Sequence, residues 1–481
     1  MRVGQTSFVV FISKFLSSVL GFVATLYFAR TLGAEVLGFY ALTITVVSWI
    51  QLGGKIGFGG AIKKRVSEGE QQSQYAAAGG IIILGLGIIL GLVVLLEYSY
   101  IESYIGRPVA PFVSALIVLG LLMAYLNSLL SGYRLVHILG ILEPIRIGSR
   151  SLLQIGLVVS GLGLGGMLYG YIGGLVVAAS VALIYTPLKF QTPNRDHFQS
   201  LIEYAKFAWL GNLRYRAYND VDILVLGIFV QSNLIGIYSV VWSITKFLTV
   251  FDSAISSTIF PEISNADHHE NTGLAETLIS DSLRYSGLIL IPGFVGSLIL
   301  AGDILEIYGP EFTQGAHVMS ILILAGLVYA YQRQFVNALN AIDRPALSFR
   351  VNGIFIVTNF LLNIALVYYY GWTGAAVATS LSASLSLLFA VYYLRSEIDF
   401  KIPSRDIVQQ WVAALVMAGV VYTGLVIENT HQIISHNFAT VLLLVIVGAS
   451  VYTVFLFIIS SSFRETVETN SPIKIPYIHN N

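Results

Sequence analysis

Eight ionisable side chains stand well inside the four apolar runs that open the two halves of this sequence, at about 7–29, 38–60, 205–229 and 235–259. Lys14, Lys55, Arg214, Arg216 and Lys246 are the bases; Asp220, Asp222 and Asp252 are the acids. A charge at the centre of a bilayer costs at least about 2.5–3.5 kcal/mol, so each one calls for a partner or a purpose. Five bases against three acids leave two surplus positive charges, and surplus positive charge in apolar surroundings suits the binding of an anion. Neither Arg214 nor Lys246 has an acid three or four residues away. At a helical rise of about 1.5 Å per residue, both stand roughly 15–20 Å from one end of their runs, too deep to reach the surface easily. Lys14 and Lys55 stand roughly 8–12 Å in, so each either extends its aliphatic stem to the surface or faces the same anion. These four are the candidate substrate-binding residues. Arg216 and Asp220 lie four apart on one helical face, the spacing of a structural ion pair. Asp222 and Asp252 are carboxylates that could couple transport to a cation. Arg333, near the end of its run, reads as a side chain extending to the surface.

The elements that must carry these charges follow from composition. The chain has 481 residues, 56% hydrophobic and 11% charged, whereas a soluble domain carries about 25% charged residues. An all-α, polytopic membrane protein is the expectation. Apolar runs fall at about 7–29, 38–60, 76–97, 111–132, 145–165, 167–188, 205–229, 235–259, 281–302, 315–338, 347–368, 373–394, 409–428 and 438–461, predicting about fourteen transmembrane helices. The first run is longer than the roughly 7–15 apolar residues of a signal peptide and contains Lys14, so it is expected to be retained. Alternate loops hold Lys63, Lys64 and Arg65; Arg134 and Arg146; Lys189 and Arg195; Arg344; and Arg395, Lys401 and Arg405. By the positive-inside rule both termini are expected to be cytoplasmic.

Equal numbers of basic and acidic residues, 26 each, give no reason to expect a nucleic-acid partner. The absence of cysteine excludes disulfides, thiolate chemistry and cysteine-ligated metals. His268 and His269, beside Asp267 and Glu270, read as a solvated polar loop rather than a metal site. The longest outside segment, about 98–110, is too short for a catalytic domain, and no inside loop carries a phosphate-cradling Gly-x-x-x-x-Gly-Lys pattern. No catalytic residue, metal or cofactor is expected, and the chain is not expected to be an enzyme.

A weak internal repeat runs through the chain. Gly38-Phe39-Tyr40 recurs as Gly236-Ile237-Tyr238, 198 residues on; Pro144, expected in a loop, recurs as Pro345, 201 on; Gly170 and Gly173 recur as Gly371 and Gly374, again 201 on. Six spans separate equivalent points, so the halves share one orientation, as in a parallel repeat with a central cleft. The expected division is a six-helix lobe at 1–190, a second at 191–400, two further helices at 401–462 and a cytoplasmic tail at 463–481.

The segment Ala29-Arg30-Thr31-Leu32-Gly33-Ala34-Glu35-Val36-Leu37-Gly38-Phe39-Tyr40-Ala41-Leu42 resembles the opening of the polysaccharide-biosynthesis (O-antigen, Wzx-type) flippases. Asp222-Ile223-Leu224-Val225-Leu226-Gly227 followed by Ile235-Gly236-Ile237-Tyr238 is similar to the same family, as are Asp343-Arg344-Pro345, Asn363 and Gly371-Trp372-Thr373-Gly374-Ala375-Ala376. The resemblance covers roughly residues 1–400 and belongs to the multidrug/oligosaccharidyl-lipid/polysaccharide exporter superfamily. It implies a two-lobed flippase that passes a polyprenyl (dolichol or undecaprenol) phosphate-linked sugar or oligosaccharide from the cytoplasmic to the outer leaflet of the cell membrane, for surface glycan or glycoprotein assembly. Related flippases carry cavity bases in their first, second and eighth helices, where Lys14, Lys55 and Lys246 stand here. Glycosyltransferases of the same pathway are the implied protein partners. The alternatives are a cation-coupled multidrug antiporter of the same superfamily and a membrane-embedded glycosyltransferase, ligase or polymerase. The drug exporters usually carry an acid and a proline in the first helix, and this chain has neither there.

Overall fold

In the computed structural model, residues 3–470 are described apart from 56, 188, 190, 209, 269–271 and 435. The side chains of 3–18, 207, 208, 210–212, 214, 215, 253, 254, 257, 258, 267, 268, 272, 469 and 470 are outside the description as well. The described chain is helical, with no strand. That is the expected outcome where lipid offers backbone groups no partner and each segment must satisfy its own. In order, the helices are α1 (Val3–Lys55), α2 (Phe58–Ser67), α3 (Gln72–Leu96), α4 (Tyr98–Ile105), α5 (Ala110–Gly132), α6 (Val136–Val159), α7 (Gly163–Tyr185), α8 (Arg195–Ala208) and α9 (Leu210–Phe229). There follow α10 (Ser232–Leu248), α11 (Val250–His268), α12 (Thr272–Glu306), a 3-10 turn at Pro310–Gly315, α13 (Ala316–Ala341), α14 (Pro345–Glu397), α15 (Ser404–His431), α16 (Asn437–Ile459) and α17 (Ser461–Asn470).

Among the described residues, nine helices are long and apolar enough to cross a membrane. Two of them hold two expected runs each. α1 kinks at Gly33 (φ 78°) and α14 at Gly371 (φ 57°), left-handed conformations that glycine adopts without a Cβ penalty. The runs expected at 145–165, 205–229 and 235–259 lie instead on helices that are broken or more charged. Fourteen crossings therefore stand as an expectation rather than a count.

Pro144 lies inside α6, not in a loop before it. A proline favours a helix boundary in water, but membrane helices tolerate interior prolines because neighbouring groups satisfy the freed carbonyl. The break comes later, at Gly161 (φ 90°) and Gly163 (φ 50°).

The repeat is present in a different register. At the α5–α6 joint the amides of Tyr133, Arg134 and Leu135 donate to the carbonyls of Leu129, Ser131 and Leu130; at the α13–α14 joint those of Ile342, Asp343 and Arg344 donate to Ala338, Asn340 and Leu339. Arg134 (φ 61°) and Asp343 (φ 56°) both take the left-handed form. The offset here is 209 residues, which pairs Pro345 with Val136 rather than with Pro144. Gly163 and Gly371 match at an offset of 208, one residue less, and the glycine three residues after each approaches the backbone of the preceding helical stretch. The partner of Gly371 is thus Gly163, not Gly170. The offset grows from 198 to 209 because the second half holds the longer helix α12.

Gly38 and Gly236 pack on each other reciprocally. A Cβ on Gly38 would stand 1.8 Å from the carbonyl oxygen of Ser232, and one on Gly236 would stand 1.8 Å from that of Ala34. Each glycine thus meets the residue four before the other, the pattern of a local two-fold axis.

The chain divides into two compact units: Met1–Val240 with Asn359–Ala375, and Val241–Thr358 with Ala376–Asn481. In the first, a glycine stripe on α7 lets α6 come close. A Cβ on Gly170 would stand 2.5 Å from the Gln154 nitrogen, and one on Gly174 2.6 Å from the Arg150 Cβ, the small-residue packing of membrane helices. In the second, Ile279, Leu283, Phe335 and Leu339 form one buried cluster, and Leu290, Ile291, Met417 and Leu444 another.

Candidate functional site

Lys14 lies on α1 and Arg214 on α9, and the side chains of both are outside the described residues. Lys55 ends α1. Its Nζ is 3.4 Å from Gln51 Oε1, and the buried Gln51 is itself anchored by donating to the Leu116 carbonyl at 2.9 Å. Gly120 leaves room for that amide, since a Cβ there would stand 2.0 Å from Gln51 Nε2.

On α9, Arg216 Nη1 donates to Asp220 Oδ2 at 2.7 Å, with 22% and 14% of the side chains exposed. Arg216 and Arg146 are both within electrostatic reach of Lys55. Arg146, on α6, is held by both carboxylate oxygens of Glu143, Nε donating to Oε2 at 2.9 Å, and it bonds the Tyr171 side chain. One turn further along α6, the guanidinium of Arg150 sits 5.0 Å from the centre of the Tyr171 ring. Lys55, Arg146, Arg150 and Arg216 therefore share one compact unit with two carboxylates paired among them. Arg146, expected in a loop, lies instead inside α6 with Arg150 one turn on. The signal was available, because Arg150 lies five residues inside the run expected at 145–165.

Asp222, on α9, is 3% exposed. It accepts hydrogen bonds from the Tyr238 hydroxyl and from Asn363 Nδ2 at 3.0 Å. The first half holds the matching pair without the acid: Gln154 Nε2 donates to the Tyr40 hydroxyl at 3.0 Å. In the repeat register, Tyr40 corresponds to Tyr238, Gln154 to Asn363, and Ala24 stands where Asp222 does.

In the second unit, Lys246 is exposed on α10 with its ammonium 5.5 Å from the Trp242 ring centre. Asp252, on α11, is 1% exposed and accepts from Gln334 Nε2 at 2.7 Å, Ser286 Oγ at 2.9 Å and Arg333 Nη2. Arg333 does not extend to the surface as its position near a run end suggested. A carboxylate this deeply buried needs an opposite charge, and Arg333 on α13 supplies it. Asp222 and Asp252 lie in different units, each within its own hydrogen-bond network. The second unit also contains an apolar cavity of about 370 Å³, lined by Leu248, Leu288, Pro292, Met417, Leu444 and Tyr452 among others.

Comparison with known proteins agrees with this architecture. A probable flippase of Haloferax volcanii, AglR, is 31% identical over 473 residues, covering 97% of this chain and 98% of its own. A probable low-salt glycan biosynthesis flippase of the same organism is 29% identical over 428 residues, covering 88% and 90%. Among solved structures, the lipid II flippase MurJ in an inward closed conformation superposes with a TM-score of 0.79 at 18% identity. That match covers 96% of this chain and all of the other, and at such identity it establishes the fold alone. The profile of the polysaccharide biosynthesis proteins matches residues 27–317, and this multi-pass membrane chain belongs to that family.

Proposed function

We propose that this chain is a flippase moving a polyprenyl-phosphate-linked sugar or oligosaccharide from the cytoplasmic to the outer leaflet. The observation that carries the reading is its end-to-end likeness to two relatives named as flippases, one of them of glycan biosynthesis. The physical layout fits. Cations set in apolar helices suit a phosphate or pyrophosphate head group. Lys14, Lys55, Arg214 and Lys246 are the proposed head-group residues, with Arg216 held in place by Asp220. The protein sits in the plasma membrane with both termini cytoplasmic, its six-helix lobes at 1–190 and 191–400 alternating access. An inside-negative potential then favours outward passage by about 2.3 kcal/mol per charge per 100 mV. No bond is made or broken, and glycosyltransferases of the pathway supply the substrate.

The competing reading, a cation-coupled antiporter, requires a carboxylate that binds and releases a cation as access alternates. Asp252 is already committed to Arg333, which leaves Asp222 as the residue to test. The experiment is a translocation or complementation assay normalised to protein level. Arg214→Gln and Lys246→Gln should abolish transport at normal abundance. Arg216→Gln should lower abundance, because it strands Asp220 in the membrane. Full activity in the first two variants, with loss only in Asp222→Asn, would reverse the assignment in favour of the antiporter.

A further inference from the structure

Among the cations of the first unit, Arg150 is held differently from its neighbours. Arg146 is paired with Glu143 and Arg216 with Asp220. Arg150 has no carboxylate within ion-pair distance among the described residues, and its Nε is buried without a hydrogen-bond partner. The side chain as a whole is only partly buried, so a ligand can reach it. A buried guanidinium donor left unfilled is costly, so it calls for a partner that the described residues do not supply.

Its position is also fixed. Gly174 presses the α7 backbone so closely on α6 that an added Cβ would stand 2.8 Å from Arg150 Cα. Tyr171, on the same helix as Gly174, supports the guanidinium from its ring face. A planar donor fork, pre-oriented by a ring and a rigid helix pair, matches the geometry of phosphate oxygens better than a flexible ammonium does. Lys55 is the other cation of this group without an acid partner among the described residues, its ammonium bonded to Gln51.

We propose that Arg150 coordinates the phosphate or pyrophosphate group of the lipid-linked substrate directly, with Lys55 as the second cation and Tyr171 as a positioning residue. Arg146 and Arg216, neutralised by their own acids, orient the site rather than grip the ligand. This deepens the flippase reading and rests on it.

The test uses the full-length protein in nanodiscs, with geranylgeranyl pyrophosphate and geranylgeraniol as probes that differ only in the head group. The wild type should bind the pyrophosphate more tightly than the alcohol. Arg150→Gln should weaken pyrophosphate binding about tenfold, equivalent to about 1.4 kcal/mol, while leaving the alcohol unaffected and the protein monodisperse. Arg150→Lys, which keeps the charge but not the fork, should fall between the two. Pyrophosphate binding within twofold of wild type in Arg150→Gln overturns the proposal, and so does an equal loss for both probes, which marks a structural role. Should the wild type itself fail to discriminate between the probes, the flippase reading falls and takes this inference with it. Discrimination kept in both wild type and Arg150→Gln removes only the assignment of Arg150.

Discussion

Gly38→Ala tests the reciprocal glycine contact. The added methyl would stand 1.8 Å from the Ser232 oxygen and 2.6 Å from its carbonyl carbon, whereas ordinary contact begins near about 3.5 Å. The obstructing atoms are backbone, which cannot rotate away, so α1 and α10 must part by roughly 1.5 Å. Overpacking of this kind costs about 1–3 kcal/mol, and a rigid obstacle places it at the upper end. Gly236→Ala meets the mirror-image clash with Ala34 and should cost about the same. Because parting the helices relieves both clashes at once, the double variant should lose only about 0.5 kcal/mol more than the worse single variant. Gly53→Ala is the control. It lies on the same helix with nothing within 4 Å of the added Cβ, so it should be neutral or slightly stabilising. The readout is the temperature at which half of the detergent-solubilised protein loses its monodisperse elution peak. Singles as stable as the wild type, or a double variant showing the full sum, would refute the reciprocal packing.

Two further outcomes follow from the same structure. Arg333→Gln should destabilise strongly, on the order of 3 kcal/mol, because it leaves the Asp252 carboxylate buried without a counter-charge; adding Asp252→Asn should recover most of the loss, and thermal inactivation of the two variants side by side decides it. Glu70, exposed between α2 and α3, is proposed to face the cytoplasm; Glu70→Cys in this cysteine-free chain should resist a membrane-impermeant thiol reagent in intact cells and react in inverted vesicles, and labelling in intact cells would reverse the topology.

The legible features of the sequence were those governed by local geometry. Apolar runs with few charges require helices in lipid, because no other open structure satisfies its backbone there. The kinks at Gly33 and Gly371 fall between pairs of expected runs, where glycine interrupts the apolar pattern. Arg216 and Asp220 meet because residues four apart share a helical face whatever surrounds them. Charge inside apolar runs was visible too, although assigning Arg146 to a loop and passing over Arg150 hid a basic group that lies inside α6.

Packing decided the rest. Asp252 and Arg333 are 81 residues apart, and no periodicity connects them; they meet because α11 and α13 bury them together. The register of the repeat could not be read from matching prolines and glycines, because an insertion in the second half shifts the offset from 198 to 209. Only the paired hydrogen bonds at the two helix joints exposed that shift. Tyr40 with Gln154, and Tyr238 with Asp222 and Asn363, are likewise joined by tertiary contact alone. A helix dictates which of its own residues share a face, but the partner brought to that face depends on how the other helices close around it. Sequence by itself therefore determined that this chain lies in a membrane and carries surplus positive charge there. The tertiary structure alone decided which side chains meet the buried acids: Asp252 finds Arg333, and Asp222 finds Tyr238 and Asn363.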